Sequence, residues 1–297
     1  MLISLGGWTL SKHFSDAALT PASRHTLVES CVDLFLRGNL PGLADGAGAG
    51  VFDGIDLDWE WPGSEGNVGN VVRPEDKANF TALVAEFRTQ LDKYGDQTGE
   101  RPQLTAFLPA APAKIDAGFE VAEVLEQLDF ATVQGYDFHG TWETTTNHQA
   151  QLFSPRRDPD PARFSLDLAI DSYLARGAPA GKLVIGVPYF GRGWTGVASE
   201  NRGLYQPSTG PAPATWEAGV EDFKVLAGRP GRHHHDLLNG AHWLYDGTTW
   251  WSYDDPVTVA HKMLYVRINR LGGAMVWSLD GDDARGTLTA TIHRLLR

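Results

Sequence analysis

Short apolar segments with strand character recur along this chain, and amphipathic segments separate them. Strand candidates lie at 2–5, 51–59, 103–108, 130–136, 183–188 and 274–278. Helix candidates fill 21–36, 75–94, 119–127, 165–176 and 256–270. Such alternation constrains the fold strongly, because neighbouring parallel strands need a crossover, and that crossover is right-handed. The expected class is therefore α/β, with a (β/α)8 barrel as the leading architecture and a doubly wound open sheet as the second. Local signals agree. Pro74 stands at the start of one helix, Asp255-Pro256 reads as an N-cap followed by an N1 proline, and Gly272-Gly273 closes that same helix. One region breaks the rhythm. Residues 191–253 are rich in Gly, Pro and Trp and alternate over hairpin-like lengths. They read as a small α+β insertion ahead of the last strand, carried by a barrel formed from 1–190 and 254–297.

Within the second strand candidate, the stretch FDGIDLDWEWPG at 52–63 is unusual. Side chains on a strand alternate faces. Asp56, Asp58 and Glu60 therefore share one face, and Ile55, Leu57 and Trp59 share the other. Stacked like charges are unfavourable, more so when buried. A solvated face or an oxygen-ligand site for a divalent cation are the plain alternatives. Trp59, Trp61 and the turn Pro62-Gly63 favour a third reading, in which the acids end at a strand terminus walled by aromatics. Crowding beside apolar rings raises the pKa of at least one carboxyl, which suits a proton donor working near neutrality.

The net charge of −12 argues against a phosphate-rich partner such as nucleic acid, and an uncharged substrate is compatible with it. Ten tryptophans offer flat faces of the kind on which sugar rings stack, with about half expected in the core. The one cysteine, Cys31, falls on the apolar face of its helix and reads as a small buried residue. No apolar run is long enough to span a membrane, and MLISLGGW lacks the features of a signal peptide.

Taken together these segments resemble glycoside hydrolase family 18, the chitinases, of the bacterial type with an insertion domain. FDGIDLDWEWPG is similar to that family's D-G-x-D-x-D-W-E signature, SLGGW at 4–8 to its S-x-G-G strand, and VQGYDFHGTW at 133–142 to the strand carrying a Tyr-Asp pair. LVIGVPYFGRGW at 183–194 and the SYDDPVTVAHK to LGGAMVWSLDGDD stretch at 252–283 match its last two strands in style and order.

The resemblance implies hydrolysis of β-1,4-linked N-acetylglucosamine with retention, by a substrate-assisted route that needs no metal and no cofactor. Glu60 would protonate the leaving oxygen. Asp58 would hydrogen-bond Glu60 and then the substrate's acetamido nitrogen, and Asp56 would share a proton with Asp58. Tyr136 would orient the acetamido carbonyl and Asp137 would bond the distorted sugar. Trp277 would form the floor under that sugar, Trp8 and Trp142 would stack sugars on the leaving-group side, and Arg192 would line the distorted-sugar side. Gln134 stands where many members carry Met. It would face the acid triplet and is a further candidate. The implied partner is chitin or a chitooligosaccharide, with no nucleic acid and no membrane. A secreted location follows from the family alone. Two other functions fit the scaffold: a non-catalytic chitin- or glycan-binding lectin, which usually lacks the acid found at Glu60, and an endo-β-N-acetylglucosaminidase acting on N-glycans. The insertion and the tryptophan positions favour linear chitin; endo and exo action both stay open, with a deep cleft leaning towards exo or processive action.

Several conspicuous residues are set aside. His233-His234-His235 read as a solvated loop of the insertion without an acidic partner at ligand spacing. Asp254-Asp255 read as a helix cap, and Asp280, Asp282 and Asp283 as turn formers. One departure from the family is large. Its S-x-G-G belongs to the third barrel strand, and here the corresponding strand begins at residue 2. Six strands are found and the first two βα units are not. An incomplete barrel whose open edges are covered by rearranged helices or by self-association, a shortened chain, and a start placed too late all account for this.

Overall fold

The computed structural model describes all residues from Met1 to Arg297. In chain order the N-terminal elements are β1 (Leu2–Gly6), α1 (Phe14–Ala18), α2 (Pro21–Cys31), β2 (Gly54–Asp58), α3 (Asp76–Thr98), β3 (Gln103–Leu108), α4 (Pro112–Gly118), α5 (Val121–Gln127) and β4 (Phe130–Val133). Then come α6 (Leu166–Leu174), β5 (Leu183–Pro188), β6 (Phe190–Thr195), β7 (Gly210–Pro211), β8 (Val220–Asp222), α7 (Phe223–Leu226), β9 (Arg232–Asp236), β10 (Ala241–Tyr245) and β11 (Trp250–Tyr253). The chain closes with α8 (Pro256–Ile268), β12 (Gly273–Trp277) and α9 (Thr287–Leu296). One six-stranded sheet runs β1-β2-β3-β4-β5-β12, and a separate antiparallel sheet runs β7-β6-β11-β10-β9 with β8 on β6. This is the α/β barrel type expected, with six parallel strands.

The chain divides into two compact units, residues 1–132 with 173–182 and residues 133–172 with 183–297. In the first, β2 pairs in parallel with β1 and β3, so that Ser4, Asp56 and Thr105 stand level across three strands. Ile55, Leu57 and Trp59 are buried, and Trp59 stacks on Phe14 and meets the edge of Phe80. The apolar face of β2 is thus sealed against α1 and α3, and the acidic side chains point the other way. Glycine is required twice where strands meet. A Cβ on Gly6, whose φ is +113°, would lie 2.2 Å from the Asp58 carbonyl oxygen, and one on Gly54 would lie 2.1 Å from that of Gln103. Cys31 is buried, and burial pushes its thiol up to about 11.

In the second unit the antiparallel sheet packs Trp194, Trp243, Tyr245 and Trp250 with Val197 and Leu204. Helix α8 starts as expected. Asp255 caps it, accepting from the backbone N–H groups of Val257 and Thr258, both at 3.0 Å, ahead of Pro256 at N1. Asp254 is not part of the cap. It is buried and pairs with the fully buried Lys262 of α8, since a carboxylate taken out of water needs a cation beside it. Asp282 and Asp283 accept from backbone N–H groups at the start of α9.

Some boundaries differ from the sequence reading. β2 is shorter than 51–59: Val51–Asp53 precede the ladder and Trp59 follows it. The histidines are not in a loop: His233, His234 and His235 lie on β9, and His235 meets an acid, its Nε2 standing 2.7 Å from Asp255 Oδ2. α9 joins the helices although 287–296 carried no helical expectation. No helix is long and apolar enough to cross a membrane.

Candidate active site

The acidic face of β2 is built from the sheet outward. Asp56 accepts from two hydroxyls, Ser4 Oγ on β1 at 2.7 Å and Thr105 Oγ1 on β3 at 2.5 Å. Both donors stand level with it in the parallel register, so the backbone ladder itself brings them there. Asp58, two residues on, shares this face. Its Oδ1 is buried with no hydrogen-bond partner. Burial, followed by the negative charge of Asp56, pushes Asp58 up to about 7. Glu60 is buried beyond the end of the strand. Its backbone N–H donates to Ser11 Oγ at 2.9 Å, and the same hydroxyl donates to Gly7 O and Asp58 O. Ser11 is itself fully buried, so this junction fixes the chain where it turns away from β2. Trp61 stacks on Phe107, and the Lys114 ammonium sits 5.5 Å from its ring centre.

The second unit carries the Tyr-Asp candidates. Tyr136 follows β4 and is buried edge-on against Phe190. Asp137 adopts a positive φ of 57°, and its N–H donates to Gln149 Oε1 at 3.2 Å. Arg192 on β6 donates from Nε to Asp137 Oδ1 at 2.8 Å. The same guanidinium lies 5.2 Å from the ring centre of Trp142 and 5.4 Å from that of Phe190. Trp142 borders a cavity of about 480 Å³, which is also lined by His139, Glu143, Thr145, Asn147 and Asp160. There His139, buried, bonds Glu143 Oε2 through Nδ1 at 2.9 Å. Gln134 is half-buried between β4 and Tyr136. Trp277 ends β12 and is 59% exposed; Trp142 is also 59% exposed, and Trp8, in the first unit, is 49% exposed. An indole so open to water in a chain that buries Trp59, Trp61, Trp194, Trp243, Trp250 and Trp251 is free to meet a ligand face.

A family model for the glycosyl hydrolases of family 18 matches residues 1–282. The chain belongs to this family. Chitinase A1 of Niallia circulans is 39% identical over 295 residues, which cover 95% of this chain and 40% of that protein. Chitotriosidase-1 of Mus musculus is 35% identical over 292 residues, covering 96% of this chain and 59% of the relative. The chain therefore spans about half the length of these curated relatives. Among solved structures, the catalytic domain of psychrophilic chitinase B from Arthrobacter TAD20 superposes with a TM-score of 0.95 at 47% identity, covering 99% of this chain and 69% of that one.

Within this family-18 chain, sequence reasoning missed Ser4, Thr105 and Ser11. Ser4 lay inside the SLGGW motif, so a signal was present. Thr105 and Ser11 had none, because their partners are remote in sequence. Trp216, 89% exposed, is a fourth open tryptophan without an expected role.

Proposed function

We propose that this chain is a chitinase that hydrolyses β-1,4-linked N-acetylglucosamine oligomers or polymers with retention. The acidic end of β2 carries this reading: Asp56 and Asp58 lie on one face, Glu60 is buried just beyond the strand, and Asp58 is raised to about 7. A carboxyl half-protonated at neutrality can hold a proton shared with a neighbour and release it as charge develops nearby.

Family 18 hydrolysis uses the substrate as its own nucleophile. The 2-acetamido oxygen attacks the anomeric carbon and the bond to the leaving oxygen breaks. Glu60 gives its proton to that oxygen. Asp58 accepts a hydrogen bond from the acetamido N–H, and the positive charge of the oxazolinium ion stabilises its ionised form. Tyr136 donates to the acetamido carbonyl and keeps it in line. Asp137, itself held by Arg192, bonds the distorted sugar. Water then adds to the anomeric carbon, giving a proton to Glu60, so configuration is retained. Trp277, Trp142 and Trp8 stack sugar faces, and Gln134 bonds the substrate. Residues 191–253 act as an insertion that extends the binding surface, and residues 1–190 with 254–297 form the catalytic barrel. β1 and β12 end the parallel sheet. Self-association through these edges would be seen by sedimentation velocity as a concentration-dependent rise in mass.

Hydrolysis of chitotetraose-type oligomers by the chain and by Glu60→Gln tests the proposal. Cleavage to the β-anomer, with at least about a 100-fold loss in the variant, supports it. If neither form cleaves and both bind, the catalytic reading fails and the chain is a glycan-binding scaffold.

A further inference from the structure

Outside the acidic ladder, the densest cluster of metal-ligating side chains lies on the antiparallel sheet. β9 and β10 pair so that His235 faces His242 and His233 faces Leu244. His233, His235 and His242 therefore share one face of the hairpin. The His235 and His242 ring centres are 4.5 Å apart, and those of His233 and His242 are 5.4 Å apart. Asp255, two residues beyond the end of β11, brings a carboxylate to the same place. Nitrogen or oxygen atoms of His235, His242 and Asp255 all lie within 4.8 Å of one another.

We propose that His235, His242 and Asp255 form a binding site for a borderline-soft divalent cation of the Zn²⁺ class, with His233 beside His242 at its edge. The spacing fits. Ligand atoms about 2.0–2.1 Å from a tetrahedral ion stand roughly 3.3 Å apart. His235 Nε2 is 2.7 Å from Asp255 Oδ2, and His233 Nδ1 is 3.2 Å from His242 Nε2. The supporting contacts fit as well. His242 Nδ1 stands 3.3 Å from the Tyr253 carbonyl oxygen, and donating to it leaves Nε2 as the lone-pair nitrogen aimed at the cluster. Asp255 Oδ1 is occupied by the N–H groups that begin α8, which leaves Oδ2 to the cation. His242 is buried and fixed, whereas His235 is open enough for an ion to enter. An imidazole-rich set with a single carboxylate selects Zn²⁺, Ni²⁺ or Cu²⁺ over Ca²⁺ or Mg²⁺. Bound there, the ion clasps the β9–β10 hairpin to the first turn of α8.

The test uses the whole chain without an affinity tag, treated with chelator and titrated calorimetrically with Zn²⁺, alongside His235→Asn and Asp255→Asn. The second variant keeps a side chain that caps a helix well, so its fold is preserved. The expected result is about one ion per chain, a raised unfolding temperature in the parent only, and a loss of affinity of about 10- to 100-fold in each variant. Co²⁺ in place of Zn²⁺ should give the intense visible absorption of a tetrahedral site. Binding that both variants leave unchanged, or no binding below millimolar Zn²⁺, overturns the proposal and leaves a hydrogen-bonded histidine cluster.

Discussion

Asp56 and Asp58 share one face of β2, and the charge of the first adds to burial in displacing the second from an ordinary 3.8 to about 7. Asp56 has two hydroxyl donors while Asp58 Oδ1 has no partner, so the pair is chemically unequal although the residues are identical. Asymmetry of this kind separates the roles of neighbouring carboxyls.

Stability should record that displacement. A carboxyl whose folded pKa is raised holds its proton more tightly in the native state. Its favourable contribution is complete below about 3.8 and is lost as pH rises through about 7. The unfolding free energy of the parent, from urea denaturation, should therefore fall across this window relative to Asp58→Asn, by up to roughly 4 kcal/mol. A flat difference between pH 4 and 7 would show that Asp58 titrates normally.

Replacing Asp56 by Asn removes the smaller of the two causes and keeps the larger. Asp58 should then titrate lower than in the parent and still above the usual carboxylate range. Carboxyl-carbon NMR of aspartate-labelled protein reads this directly. An unchanged midpoint would assign the whole displacement to burial.

Lys262 and Asp254 form the one pair in which both charged side chains are almost fully removed from water. Burial works against the charge on each, and each partner offsets it. Lys262→Met should cost about 3–5 kcal/mol because it strands a buried carboxylate, and adding Asp254→Leu should recover much of that. Chemical denaturation of the single and double variants separates the stranded charge from lost packing.

Arg192 links Asp137 to the exposed ring of Trp142. Trp142→Ala should raise KM for chitooligosaccharides about tenfold with a smaller effect on kcat, the loss of a stacking face worth about 1–1.5 kcal/mol. Arg192→Lys keeps the charge and loses the planar stack, and should shift KM in the same direction. A KM unmoved in both variants would remove Trp142 from the sugar-binding surface.

Much of this was readable from local pattern. The six parallel strands follow from short apolar runs, and the shared face of Asp56 and Asp58 follows from the two-residue period of a strand, whereas Glu60 lies past the end of the ladder. What stayed hidden depends on register. Thr105 meets Asp56 because β3 pairs with β2 at one alignment, and nothing near residue 105 encodes that alignment. The same cause hid the contact of His235 with His242 and Asp255. A run of histidines has little strand propensity, so β9 looked like a loop until β10 supplied its ladder. Asp254 was misread as a cap because its partner lies a helix turn and more away, facing inward.

The contrast between shielded and open indoles also gives the molecule an optical signature. Six tryptophans sit in dry surroundings, while Trp8, Trp142, Trp216 and Trp277 look out into water. The open four emit at longer wavelength and are reachable by an aqueous quencher. A sugar stacked on any of Trp8, Trp142 and Trp277 would shift that red component and protect it, and Trp216 would stay quenchable as a built-in reference. Occupancy of the surface can thus be followed without any label.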